Sequence, residues 1–208
     1  EITVLDLCHA PLMLNRWYAE RHNCQITTVA EDLLLYDNQQ GFDFITTDNF
    51  LVFFELTKRK MIADKWNELL RPAGRVVTAQ RISPGRSDET RSLTEAAVMR
   101  RISRIRKNAQ RHAGALDVTE QELLRDAARY YKERVYASVN SVAEVCQLFE
   151  SNGFEIESVA SAPRRYAESS ELASPSRHSR RVYFVAEKTN VTVTRFGLSG
   201  ESGGGDLN

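Results

Sequence analysis

No apolar run in this 208-residue chain is long enough to cross a bilayer, so no membrane association is expected. No charge of either sign is in excess: Lys plus Arg is 28 and Asp plus Glu is 28. Nothing global therefore steers the chain toward nucleic acid or an anionic surface. Cysteine is scarce. Cys8, Cys24 and Cys146 are odd in number and widely spaced, which excludes a disulfide framework and a CxxC metal pair. Reduced thiols suit a cytoplasmic protein. His9, His22, His112 and His178 lack ligand spacing, so no metal is expected. No signal peptide is expected, because the chain starts on an acidic residue and enters a strand at once; it also lacks an initiator methionine. What is present is ordinary: 42% apolar and 27% charged residues, and length enough for a sizeable core.

One shortage is local. Ile2–Leu7 reads as a strand buried on both faces, and the turn after it, Cys8-His9-Ala10-Pro11, has no glycine. Leu14, Trp17 and Tyr18 then repeat at helical spacing. Nucleotide-binding α/β domains begin with this strand–turn–helix, normally with a glycine-rich turn. Gln25–Val29 and "FDFITT" are the next strands. Thr57 is placed to cap a helix carrying Met61, Ile62, Trp66, Leu69 and Leu70, which "RPAG" stops. Arg75–Ala79 is a further strand. The alternation predicts a parallel, doubly wound sheet.

Ser83 to Ala137 carries no strand signal. Capping boxes at Ser92/Glu95 and Thr119/Glu122 open two amphipathic helices, broken between Gly114 and Asp117. The first presents Val98, Ile102, Ile105 and Ala109; the second presents Leu123, Leu124, Ala127, Ala128, Tyr131 and Val135. Inserted between a core strand and the next core helix, they read as a lid. A third box, Ser141/Glu144, opens a helix with Val142, Val145, Leu148 and Phe149, and Gly153 suits a left-handed stop. "FEIESVAS" and "RRVYFVAEK" are two strands with one reversal between them, which favours an antiparallel pair. The expected layout is one domain over 1–196, the lid at 83–137 within it, and a disordered Gly/Ser-rich tail at 197–208.

The order of these pieces resembles the class I S-adenosylmethionine-dependent methyltransferases. "VLDLCHAP" matches their first motif in position, "TVAEDLLLYD" the segment that meets the adenine, and "GFDFITTDNFL" the strand beneath the methionine end. "KWNELLRPAGRVVTA" and "LFESNGFEIESV" are similar to the family's later helix–strand units. The resemblance covers most of Ile2–Lys188. It implies an α/β, doubly wound, mostly parallel Rossmann-like sheet with an antiparallel last strand and a helical lid. Two departures stand out. The first motif has lost its glycines, which let backbone approach the cofactor. In addition, "HNCQITTV" is too short for the strand–helix unit whose acid meets the ribose. Either residues are missing between Cys24 and Thr28, the preferred explanation, or the ribose-binding carboxylate is lost.

The resemblance implies S-adenosylmethionine as cofactor and assigns candidate residues, each with a plainer alternative. Asp6 holds the turn and the cofactor's ammonium, or else caps the next helix. Asp32, with Glu31 as substitute, accepts from the adenine amino group, or is a solvated loop acid. Asp48, followed by Asn49, faces the sulfonium or acts as a general base, or is a helix N-cap. His9 is a second candidate base, or only shapes the turn. Cys8, His9, Ala10, Leu33 and Thr47 complete the implied cofactor lining. Arg100, Arg104, Lys107 and Arg111 form a stripe that contacts phosphate or, as preferred, is a solvated helix face. Tyr130, Tyr131 and Tyr136 line a substrate pocket under the lid or belong to the core. The expected activity is methyl transfer to an O, N or C atom of a small molecule, in a cytoplasmic protein that forms a homodimer. The rivals are a protein of this fold that transfers no methyl group (a cyclase, an isomerase or an inactive partner subunit) and a nucleic-acid methyltransferase.

Overall fold

The computed structural model describes residues 1–85, 91–111, 119–133, 135–161 and 179–189. The gaps include the stretch from Gly114 to Asp117 and the tail from Gly197, so the expectations made for them lie outside the described residues. Strand β1 (Ile2–Leu5), helix α1 (His9–His22) and strand β2 (Ile26–Val29) form a parallel βαβ unit in which Ile2 faces Ile26 and Leu5 faces Val29. The chain runs without interruption from α1 into β2: Asn23 takes a left-handed turn (φ 51°) and the Cys24 N–H donates to Ala19 O at 3.0 Å. The extra strand–helix unit is absent, and β2 itself lies beside β1. Helix α1 supplies the dozen or more residues that a parallel crossover needs.

A second sheet, in the order β3-β4-β8-β7, carries the core. Its strands are β3 (Phe42–Asp48), β4 (Leu70–Ile82), β7 (Phe154–Ser161) and β8 (Arg180–Lys188). β3 and β4 are parallel, while β8 runs antiparallel to both β4 and β7. Three strands thus share one direction and the last strand opposes them, as the sequence predicted. One face carries Val76, Ile82, Val182, Phe184 and Ala186 and is covered by helices α2 (Leu56–Leu69) and α5 (Val142–Glu150). Trp66 of α2 stacks on Phe149 of α5 at 6.1 Å between ring centroids. Fully burying each such side chain contributes about 1.5–3 kcal/mol. The opposite face is more open, with Phe44 60% and Tyr183 39% exposed. β1 is not buried on both faces as expected: among the described residues it has a ladder partner on one side only, and Ile2 and Leu7 are exposed.

Local chemistry explains the element ends. The Thr57 cap is not realised; α2 starts two residues earlier, behind Glu55, with no side-chain cap. "RPAG" ends the helix, but Leu70 already pairs with Phe42, so the segment is a bulge within β4. At Gly74 a Cβ would stand 2.9 Å from Arg71 O, and Ala73 sits at φ 59°, a left-handed position. That conformation costs a residue with a Cβ about 1–2 kcal/mol, partly offset because glycine is freer when unfolded. Ala73→Gly should therefore raise stability by about 0.5–1 kcal/mol, read as a higher denaturation midpoint at unchanged slope.

Between β4 and α5 lie helices α3 (Glu95–Arg111) and α4 (Glu120–Glu133) and two short strands, β5 (Arg91–Ser92) and β6 (Val135–Tyr136). The antiparallel β5–β6 pair was not expected, because two residues carry no periodicity. Ser92 is spent in that pair, and Thr94 caps α3 instead, its hydroxyl accepting from the Ala97 N–H at 3.3 Å. The insertion leaves from the end of β4, where the Ser83 N–H donates to Val139 O at 2.8 Å. It returns where the Ala137 N–H donates to Val52 O at 2.7 Å. Both feet therefore stand at the carboxyl ends of β3 and β4.

The Thr119/Glu122 box is reciprocal, at 3.0 Å from Thr119 N–H to Glu122 Oε2 and 3.2 Å from Glu122 N–H to Thr119 Oγ1. The Thr119 side-chain bond, followed by its backbone bond, holds the Glu122 carboxyl below its ordinary value. A lowered folded value means the cap is complete above the unfolded glutamate pKa, about 4.3. Its contribution is lost as pH falls through the lower folded value. Circular dichroism should show an acid loss of helix that Glu122→Gln makes smaller.

Candidate functional site

The turn after β1 is shorter than the sequence suggested. Cys8 is the N-cap of α1, and His9, Ala10 and Pro11 already belong to the helix, where proline is tolerated in the first turn. Asp6 shapes the turn: its Oδ1 accepts from the Cys8 N–H at 2.7 Å, and its own N–H donates to Val29 O at 3.2 Å. The Cys8 side chain makes no cap bond, so the first N–H groups of α1 have no side-chain acceptor. Cys8, His9 and Ala10 are exposed. His9 has no hydrogen-bond or ion-pair partner among the described residues.

The end of β2 lies level with this turn. Glu31 follows it, half-buried and without a hydrogen-bond partner among the described residues. Asp32 turns the chain, Oδ1 accepting from the Leu34 N–H at 3.0 Å and its carbonyl from Leu35 and Tyr36. Leu33 and Leu34 then pack against the core and tie the β1–β2 unit to the larger sheet.

At the end of β3, the Thr47 hydroxyl is paired with that of Thr78 at 2.7 Å. Asp48 forms an ion pair with Arg181 of β8. Neither Asp48 nor Asn49 caps a helix: the 3-10 turn Leu51–Phe53 is preceded by Phe50, with no side-chain cap. Asn49 is instead a left-handed staple (φ 52°) whose N–H donates to Ala79 O and whose Oδ1 accepts from the Arg81 N–H. The structure thus brings Asp6, Cys8, Glu31 and Asp32 to one end of the β1–β2 pair, and Asp48 to the corresponding end of β3. No ladder joins β1 to β3 among the described residues.

Sequence reasoning missed two features. The first is Arg59, discussed below. The second is the place of Arg101 in a cavity of about 230 Å³ between α3 and α4, lined by Arg101, Arg104, Ile105 and the three tyrosines offered as a pocket lining, Tyr130, Tyr131 and Tyr136. Arg100, Lys107 and Arg111 of the predicted stripe are solvated, but Arg104 is half-buried on this cavity, and all three tyrosines reach it. Among the described residues no cluster of His, Cys, Asp or Glu suits a metal ion, and no helix is long and apolar enough to cross a membrane.

No family model matches the sequence, and no characterised protein matches it by sequence. Solved structures do match. The 1,6-didemethyltoxoflavin-N1-methyltransferase of Burkholderia thailandensis, determined with S-adenosylhomocysteine, superposes with a TM-score of 0.57 at 17% identity, over 90% of this chain and 61% of that one. A SAM-dependent methyltransferase from Methanosarcina mazei superposes at 0.54 with 12% identity, over 90% and 81%. The fold is that of the class I S-adenosylmethionine-dependent methyltransferases. The chain spans about three fifths of the length of the Burkholderia enzyme. In a methyltransferase fold, as in other open α/β sheets, ligands bind outside the carboxyl ends of the strands. Asp6, Glu31, Asp32 and Asp48 all stand at such ends.

Proposed function

We propose that the protein transfers a methyl group from S-adenosylmethionine to a small-molecule acceptor. One observation carries this reading: the N-terminus of α1, with no side-chain cap, and Glu31, without a partner among the described residues, stand at the level ends of β1 and β2. The two ends are chemically complementary to the cofactor. Free helix N–H groups suit a carboxylate, and a lone carboxylate suits ribose hydroxyls or an amino group. Because β2 lies beside β1, Glu31 takes over the role of the acid lost with the missing strand–helix unit. Leu33 gives the neighbouring apolar wall, and Asp6 fixes the turn through Cys8.

S-adenosylmethionine, when bound, supplies an electrophilic methyl group. The chain's own task is to orient the acceptor, exclude water and take up a proton where the acceptor must lose one. Asp48, held in place by Arg181, and His9, exposed on the first turn of α1, are the two candidate bases. Helices α3 and α4 act as a lid, rooted at the ends of β3 and β4.

The test is to incubate the protein with methyl-labelled S-adenosylmethionine and a fractionated cell extract. Label in the small-molecule fraction supports the reading. Label confined to nucleic acid would mark a nucleic-acid methyltransferase. Cofactor binding with no transfer to any fraction would mark a protein of this fold with another role.

A further inference from the structure

We propose that the cavity between α3 and α4 is the acceptor pocket and that it takes a planar aromatic acid; its assignment to the acceptor rests on the methyl-transfer reading. The argument begins with Arg101. Its guanidinium lies over the Tyr131 ring at 5.1 Å and the Tyr136 ring at 5.9 Å, and its one hydrogen bond among the described residues is a long 3.4 Å contact to the Tyr136 hydroxyl. It has no carboxylate partner among the described residues. Arg59, Arg71, Arg75, Arg106 and Arg181 each have one. A half-buried cation lacking a counter-ion is costly, and a ligand anion offsets that cost. Stacking on the rings also leaves the edge N–H groups of the guanidinium available, and they match the fork of a carboxylate. Arg104 adds a second positive charge to the same wall.

The remaining wall selects a flat apolar body. Tyr130 and Tyr131 meet edge to face at 5.3 Å, and Ile105 lies beside them. A cavity of about 150 Å³ accepts benzene, so about 230 Å³ holds a substituted single ring. Two guanidiniums disfavour an amine acceptor. The position also suits the reaction: the Tyr136 ring lies 5.7 Å from Phe53, in the 3-10 turn that follows Asp48.

The experiment is calorimetric titration of the full chain with benzoate and with benzamide, its neutral near-isostere. Benzoate is expected to bind at least about tenfold more tightly, the effect of a charge-assisted hydrogen bond. Arg101→Gln should erase that preference while leaving benzamide binding unchanged; if that variant fails to fold, Arg101→Met, which keeps an apolar stem over the rings, serves in its place. Equal binding of the two probes, no benzoate binding, or a preference that survives in the folded variant overturns the proposal. So does displacement of benzoate from the cavity by a single-stranded oligonucleotide. S-adenosylhomocysteine is titrated in parallel. If it binds and benzoate does not, the pocket proposal falls alone. If benzoate binds and it does not, the anion site stands and its assignment to a methyl acceptor falls.

Discussion

Arg59→Met is expected to lower the unfolding free energy by about 3–5 kcal/mol, the cost of breaking a buried ion pair from one side. Arg59 is 3% exposed at its side chain. Its Nε donates to Leu51 O at 2.9 Å, one terminal nitrogen pairs with Glu144, and the other donates to Ala137 O and Ser138 O, each at 3.0 Å. One guanidinium thus ties the 3-10 turn after β3 and the returning foot of the insertion to the N-terminus of α5. Methionine fills much of the volume but withdraws the guanidinium's hydrogen bonds from three carbonyls and a carboxylate. Since domains are stable by only about 5–15 kcal/mol, this single change removes a large share. Denaturant unfolding should show a much lower midpoint. Glu144→Gln should cost less, because its one amide oxygen still accepts from Arg59 and the change gives up mainly the bond from the Asn140 N–H, now 2.8 Å from Glu144 Oε2. If the two variants cost the same small amount, the buried hub is not a stability determinant.

Asp6→Ala is expected to weaken S-adenosylmethionine binding by about tenfold or more, in line with the loss of a hydrogen bond to a charged group. Among the described residues the Asp6 carboxylate is the only side chain holding the Cys8 N–H, and therefore sets where α1 begins. Without it the first helical N–H groups are no longer aimed. Cys8→Ser is the control. The thiol makes no cap bond, whereas serine is a preferred N-cap whose hydroxyl can accept from the Ala10 N–H. That change should leave affinity nearly unaltered and raise stability slightly. An Asp6→Ala protein that is folded and binds as tightly as the parent would reduce the turn to a connection.

Most of the core was legible in the sequence because its elements are long and periodic. The helix around Trp66, the strand from Arg75, the Ser141 cap and the antiparallel final strand all follow from spacing. Three parts were not legible, each for a physical reason. The Arg59 hub joins residues far apart in the chain, and no local pattern encodes which carbonyls a buried guanidinium reaches. The β5–β6 pair is too short to alternate, so Ser92 passed for a helix cap when Thr94 holds that place. Proline at Pro11 suggested a loop, yet it is equally at home in a first helical turn. At the site, the chain positions of Asp6, Glu31, Asp32 and Asp48 were evident. That Thr47 pairs with Thr78, that Arg181 holds Asp48 and that Arg101 stacks on two tyrosines are cross-element facts that only the folded chain reveals.

Titration of S-adenosylhomocysteine into the unmodified protein decides whether the β1–α1 turn and Glu31 form a cofactor site at all. A single saturable site is expected, with affinity falling in Glu31→Gln as well as in Asp6→Ala. A folded protein that gives no binding heat and no thermal shift at millimolar ligand would contradict it, leaving a methyltransferase fold without the methyltransferase's cofactor.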